Sequence, residues 1–402
     1  MASSLAGATQ DEVRRHNLGR LVRILHLRGS ASRADLTRLT GLNRSTIGVL
    51  TTDLANAGLV REEPPVGRGV GRPSIVVAPN STQVYALAFD VRVERTVAAV
   101  VGIGGVVLAR REAHHPRRAT PAGDVTEEIA TLGRECLAEL PFAAVCVGVG
   151  LAVPGVVRSE DGLVRFAPNM GWVDVPIADM LGEALGTTLP IIVGNDADFG
   201  AISEHLRGAA TGASNVIFLS GEVGVGGGII LGGRLMVGAG GYGGEIGHMV
   251  VNPDGRACRC GRRGCWETEI GEEAVLSALG GTQGDELDDL LGPLVARGSS
   301  DTAELADVGR WLGIGLGNLV NIFNPEVVVF GGLLRRVLPL VGDHLREQFD
   351  TALTAPREQV RLALPALGRD SPLLGAAEAV FGPLLDDPLS RLSRAHAAIA
   401  AA

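Results

Sequence analysis

Three of the five cysteines in this 402-residue chain, Cys258, Cys260 and Cys265, fall within eight positions, and His248 stands ten residues ahead of the first. Three thiolates and one imidazole make a complete tetrahedral ligand set for Zn2+, and a site closed by four protein ligands has no open position for chemistry. The pattern predicts one structural zinc ion per chain, in a knuckle whose tight turns are permitted by Gly255, Gly261 and Gly264. Cys136 and Cys146 lie in apolar-patterned segments and read as core residues, and five cysteines in so long a chain make no disulfide framework. Glu245 precedes His248 by three residues, and Glu267 follows Cys265 by two. A metal staple that fixes this loop fixes both carboxylates, and a rigid carboxylate in a cleft is a good acceptor for sugar hydroxyls.

A second chemistry is written near the N-terminus. Residues 11–80 carry 11 Arg against 6 acids, a balance of +5, while the rest carries 25 Arg against 39 acids, a balance of −14. A basic segment on an acidic body suggests that only the first part meets a polyanion. The spacing of Leu18, Leu21, Val22 and Leu25 predicts a helix over 13–28, stopped by Gly29. Ser32 caps a second helix over 33–40 that ends at Gly41; Asn43 caps a third, from Arg44 to about residue 57. Gly58 stops the third helix, and Leu59 and Val60 begin a strand. Two short helices joined by a Gly-containing turn, the second opening with polar side chains, form the helix-turn-helix pattern. Asn43, Arg44, Ser45 and Thr46 are then the candidate readers of a double-stranded DNA operator. The Gly-rich stretch 65–74, followed by a strand at 75–77, reads as the tip of a β-wing. There Arg68 and Arg72 would enter a narrow minor groove and add salt-dependent affinity.

The elements that must position the zinc loop follow. Strands are expected at 84–89, 96–101, 144–149, 191–193, 216–219 and 327–330, with helices at 126–138 and 305–323, an α/β arrangement of two lobes around a cleft. No run of 18 apolar residues lacks charge, and residues 1–10 lack a basic region followed by an apolar stretch. Neither a membrane span nor a secretion signal is expected, which points to a cytoplasmic protein.

Several short motifs in this body carry a family likeness: Val153-Pro154-Gly155, 167–172 (Ala-Pro-Asn-Met-Gly-Trp), 194–197 (Gly-Asn-Asp-Ala), 224–228, 244–248 (Gly-Glu-Ile-Gly-His) and the Cys cluster through Glu267. So do 367–370 and 375–377. Over roughly 84–381 the chain resembles the ROK family of repressors, open reading frames and sugar kinases. The resemblance implies a bilobal actin/hexokinase-like fold behind the N-terminal winged helix-turn-helix. Together with that winged helix it implies the repressor branch, which includes the N-acetylglucosamine and xylose repressors. The expected organisation is a disordered N-terminus over 1–12, a DNA-binding domain over 13–80, a two-lobed sugar-binding domain over 81–385 and a tail over 386–402. The resemblance also places Asn169, Asn195, Asp196, Glu245, His248 and Glu267 at sugar-contacting positions. Asp196 stands where the kinases keep their general base, and His248 would hold zinc through one nitrogen and touch sugar with the other.

The kinases of this family open their first strand with an Asp-x-Gly-Gly-Thr loop whose backbone N–H groups approach nucleotide phosphates. Here 90–94 reads Asp-Val-Arg-Val-Glu, and the second phosphate loop, ordinarily Gly-Thr-Gly, reads Glu222-Val223-Gly224. Phosphoryl transfer depends on positioning and charge stabilisation, so both losses together predict a chain that neither binds ATP nor turns it over. The expectation is a sugar-responsive DNA-binding regulator, a repressor of carbohydrate-utilisation genes acting as a homodimer or tetramer on an inverted-repeat operator. The alternative is an active ROK-type ATP-dependent sugar kinase with an accessory DNA-binding domain, in which Asp196 survives because catalysis survives.

Overall fold

The computed structural model describes residues 9–64, 74–115, 120–141, 144–282, 285–297 and 302–401. The chain opens with helix α1 (Gln10–Arg28), whose capping box joins Thr9 to Glu12 through hydrogen bonds of 2.7 and 3.2 Å. This box starts the helix three residues before the expected Val13, so 10–12, assigned from sequence to a disordered terminus, form its first turn. Strand β1 (Ala31–Ser32) leads into α2 (Arg33–Thr40), capped by Ser32 and ended by a left-handed Gly41, and then into α3 (Arg44–Asn56), capped by Asn43. The guanidinium of Arg20 on α1 donates to the carbonyls of Thr40 (2.8 Å) and Leu39 (3.1 Å), satisfying the open C-terminal end of α2. Strands β2 (Val60–Glu63) and β3 (Val76–Pro79) complete a three-stranded sheet of order β1-β3-β2. This is a winged-helix topology, with the wing tip over 65–73, and with it Arg68 and Arg72, outside the described residues.

The first lobe begins with the antiparallel meander β4 (Val84–Val91), β5 (Arg95–Gly102) and β6 (Val106–His114). Helix α4 (Ala122–Ala138) crosses to β7 (Val145–Val153), parallel to β4. A small antiparallel sheet of β8 (Val156–Val157), β9 (Val164–Ala167) and β10 (Trp172–Val175) follows. Then come α5 (Ile177–Leu185) and β11 (Ile191–Asn195), which closes the sheet in the order β11-β7-β4-β5-β6. Helix α6 (Asp196–Arg207) carries the chain into the second lobe. There β12 (Val216–Gly221), β13 (Val225–Leu231) and β14 (Arg234–Leu235) form an antiparallel run. After the Cys-rich loop come α7 (Trp266–Ile270), α8 (Glu272–Ala278), α9 (Leu287–Arg297) and the long α10 (Ala306–Phe323). Parallel β15 (Val327–Gly332), then α11 (Leu334–Val337), α12 (Gly342–Phe349), α13 (Thr354–Gln359) and β16 (Arg361–Ala363), give the order β14-β13-β12-β15-β16. The glycine run 226–228 is thus strand rather than loop. A Cβ on Gly228 would lie 2.2 Å from the Ala197 carbonyl, so only glycine lets α6 rest on β13.

Helix α14 (Ser371–Asp386) returns to the first lobe beside α6. Their crossing is fixed by the buried Glu204 carboxylate, which accepts from the Ser371 hydroxyl (2.8 Å) and the Leu367 (2.9 Å), Ala366 (3.0 Å) and Ala209 (2.7 Å) amides. Helix α15 (Pro388–Ala401) follows, so the segment read as a tail is helical, with Leu392 and Ala395 buried. The winged helix is no appendage: a short turn at 80–82 joins β3 to β4. Leu18, Leu21 and Leu25 of α1 share one apolar cluster with Phe381, Leu385 and Leu392. A Cβ on Gly19 would sit 2.5 Å from the Leu385 carbonyl, so α1 and α14 touch backbone to backbone.

Candidate functional site

The zinc loop leaves β14 through two single turns and re-enters helix at Trp266, whose buried indole donates to the Trp311 carbonyl (2.9 Å) and anchors the loop on α10. In the loop the ligand atoms of His248, Cys258, Cys260 and Cys265 all lie within 4.8 Å of one another. Cys258 Sγ is 3.6 Å from His248 Nδ1, and Cys260 Sγ is 3.6 Å from Cys265 Sγ. Tetrahedral Zn–S bonds of about 2.3 Å set sulfurs about 3.8 Å apart, so the donors fit a metal ion of that size without rearrangement. His248 faces the thiols through Nδ1. Glu267, on the first turn of α7, accepts from Cys258 Sγ (2.9 Å) and stands 3.5 Å from His248 Nδ1, so the cluster and this carboxylate are held together.

Across the cleft, β11 ends at Asn195, which caps α6: its Oδ1 accepts from the amides of Ala197 (2.8 Å) and Asp198 (3.4 Å), and its Nδ2 donates to the Gly155 carbonyl (2.9 Å). Both polar atoms of Asn195 are therefore engaged in positioning the first turn of α6. Asn195, Asp198 and Glu245 line one polar pocket together with Gly155, Ser159 and Gly227. Burial pushes the Asp198 carboxyl up to about 8, with the charges of Glu245 and Asp196 adding to the rise, and one of its oxygens has no partner. Sequence reading overlooked Asp198; its signal was a third polar residue on an already recognised motif. Asn169 sits in the turn between β9 and β10, and its Oδ1 accepts from Arg259 of the zinc loop, which ties the first lobe to the second.

Asp196 is buried, and burial raises its carboxyl to about 6; the Arg92 guanidinium opposes the rise, while Asp90 and Glu222 add to it. Arg92, at the degenerate first phosphate loop, is also buried. Its Nε donates to Asp90 (2.8 Å) and its Nη1 to Glu222 (2.9 Å), and Nη1 lies 3.3 Å from Asp196. Burial works against its charge, but these three carboxylates outweigh that and raise its pKa. The sequence reading treated both loops as losses and missed that they meet through one side chain.

At the other end of the molecule, Arg44 and Ser45 are exposed at the start of α3. Asn43 Oδ1 accepts from the Thr46 amide (2.8 Å) and the Ser45 hydroxyl (2.7 Å), so Asn43 is engaged as the cap. Val49, one turn on from Ser45 and 60% exposed, stands on the same helix, with the apolar character suited to a thymine methyl. Among the described residues no helix is long and apolar enough to cross a membrane.

Two lobes built on five-stranded sheets, joined by two crossing helices and closed by a His/Cys loop, define an actin/hexokinase-like protein carrying a winged helix. The chain belongs to the ROK family, whose model matches residues 86–381. It is 28% identical over 387 residues to the xylose repressor of Bacillus subtilis (strain 168), covering 94% of this chain and 98% of that one. The glucokinase of Streptomyces coelicolor is 31% identical over 324 residues, 98% of the kinase but 75% of this chain. Among solved structures, a ROK family transcriptional regulator described as a homolog of the E. coli MLC protein shares the fold over 96% of this chain, with a TM-score of 0.76 at 23% identity. The ROK hexokinase of Thermus thermophilus, 29% identical, covers 76% of this chain and 98% of its own, with a TM-score of 0.58. Likeness to the repressor thus runs the length of the chain, whereas these two kinases match only part of it.

Proposed function

We propose that this chain is a sugar-responsive repressor of carbohydrate-utilisation genes that acts in the cytoplasm. Two copies set their winged helices on an inverted-repeat operator, with Arg44, Ser45 and Thr46 at base edges, Asn43 capping the reading helix, and Arg68 and Arg72 in the minor groove. The metal is Zn2+, and its role is to hold Glu267 and His248 against the cleft. Asn169, Asp196, Glu245, His248 and Glu267 meet the sugar hydroxyls, while Asn195 positions the turn that carries Asp196.

The observation that carries the reading is the seat of α1 on the body. His26 of α1 is fully buried, and its Nδ1 accepts from the Gly104 amide (2.9 Å), which leaves the ring proton on Nε2 to be donated to Glu378 of α14 (2.8 Å). Arg207, the last residue of α6, donates to the same carboxylate (2.5 Å) and to the His26 carbonyl (3.1 Å). Helix α6 therefore has Asp196 at one end and the seat of the DNA-binding domain at the other, 12 residues or about 18 Å apart. A sugar that changes the closure of the lobes tilts α6 and so shifts the winged helices.

Operator binding by the zinc-loaded full chain, measured across a panel of free sugars, tests this. One sugar should weaken operator affinity at least ~10-fold; a panel in which none changes it removes the sensor reading. The kinase alternative draws on the survival of Asp196. Against it stands Arg92, whose guanidinium fills the space between the two loops that would cradle phosphates. A coupled assay with ATP over the same sugars, showing turnover that Asp196→Asn abolishes, would reverse the assignment.

A further inference from the structure

The kinases of this family and a sugar sensor built on the same cleft need opposite things from the space beside Asp196. A kinase must admit a phosphoryl group there. In this chain Arg92 occupies that space and draws on both lobes: Asp90 at the end of β4, Asp196 at the start of α6, and Glu222 in the turn between β12 and β13. Arg95 also faces Asp90, at 3.6 Å, and is the one further cation paired to this set. Two guanidinium groups thus stand against three carboxylates, with Asp198, Glu245 and Glu267 lining the cleft nearby. Both Nε and Nη1 of Arg92 are already donating to carboxylates.

A phosphate ester on the sugar hydroxyl nearest Asp196 would have to enter this set. It would bring about two further negative charges to a site that is already net negative, and it could reach the guanidinium only by displacing Asp90 or Glu222. A neutral hydroxyl asks for neither. It can donate to Asp196 while Arg92 keeps its partners.

We propose that Arg92 is the specificity determinant of the cleft: an internal counter-ion in the phosphoryl position that makes the protein select a free, uncharged sugar and reject its phosphate ester. The inference rests on the sugar-sensor reading above and adds the chemical class of the effector. The protein then responds to what a sugar kinase consumes and is blind to what the kinase makes.

The test is calorimetric titration of the zinc-loaded full chain with D-glucose, N-acetyl-D-glucosamine and D-xylose, each against its terminal-hydroxyl phosphate ester. The expected result is that a free sugar binds and its ester binds at least ~100-fold more weakly, as like-charge juxtaposition in a desolvated site requires. In the double variant Arg92→Gly/Glu222→Thr, which clears the space and removes one carboxylate, this disadvantage should shrink at least ~10-fold. If that variant does not fold, Glu222→Gln takes its place, at a side chain that is 49% exposed, and should shrink the gap at least ~3-fold. An ester that binds as well as the free sugar, or better, overturns the proposal. So does a gap unchanged in the variant that folds. If neither form of any sugar binds, the sensor reading itself falls and takes this inference with it. An ester preference with sugar-linked operator release would leave the sensor reading standing alone.

Discussion

Asp196 has the position of a catalytic base and the surroundings of a ligand. Its carboxyl, raised to about 6 mainly by burial, is largely protonated at pH 5 and ionised at pH 7. A sugar hydroxyl donates best to the ionised form, so sugar affinity should rise about 10-fold from pH 5 to 7 and flatten above it. Titrations at several pH values on the wild type and Asp196→Asn check this; a slope that persists in the variant belongs to another group. At the metal cluster, four donors already in place make the loop depend on its ion. Stripping the metal with a chelator should lower stability by about 4 kcal/mol, the linkage value for a metal a thousandfold above its Kd. Restoring one equivalent of Zn2+ should restore both the melting temperature and sugar binding. Metal analysis of the purified protein gives the stoichiometry.

Helix α6 is the element on which a response would turn, because a helix transmits a tilt at one end to the other. Its junction end depends on a buried carboxylate. Burial pulls the Glu378 pKa up, but the His26 hydrogen bond and the Arg207 charge outweigh it and hold the group below its ordinary 4.5. A lowered acid contributes stability that is present above 4.5 and lost as pH falls through the lowered value. Acidification below about pH 4 should therefore loosen α1 from the body before the lobes unfold, visible as hydrogen exchange at α1 ahead of β7. Replacing Arg207 by Met leaves Glu378 buried against His26 alone. It should cost about 3–5 kcal/mol, the range for breaking one side of a buried ion pair. Where the variant still folds, it should bind sugar as before but release operator more weakly. Loss of sugar affinity and sugar response together would instead place Arg207 in the stability of the cleft.

At the scale of the whole molecule, charge is segregated: a basic N-terminal segment rides on an acidic body. Attraction to DNA is then confined to one face, and the body repels the backbone it does not read. Operator affinity should fall steeply with salt, and Arg68→Ala/Arg72→Ala should reduce the log–log slope by about 2, one counter-ion per lost phosphate contact. The shared core of α1, α14 and α15 also means that the DNA-binding domain and the body melt together rather than as beads on a linker.

What the chain announced by itself was local. Caps at Ser32 and Asn43, the stop at Gly41 and the zinc spacing each act within a few residues or one loop, where backbone geometry leaves few choices. The family motifs added the two-lobed frame. Even there, the start of α1 was misplaced because the box between Thr9 and Glu12 lies in a polar stretch with no apolar period to mark it. The tertiary structure decided what distant residues do for one another. Arg92 reaches Glu222 across 130 positions, and His26 meets Glu378 across 352. No spacing rule connects such pairs, because they are brought together by sheet order and helix crossing, and their energies exist only once water is excluded. The zinc ligands could be read from a line of text, whereas the identity of the cation beside Asp196 required the fold.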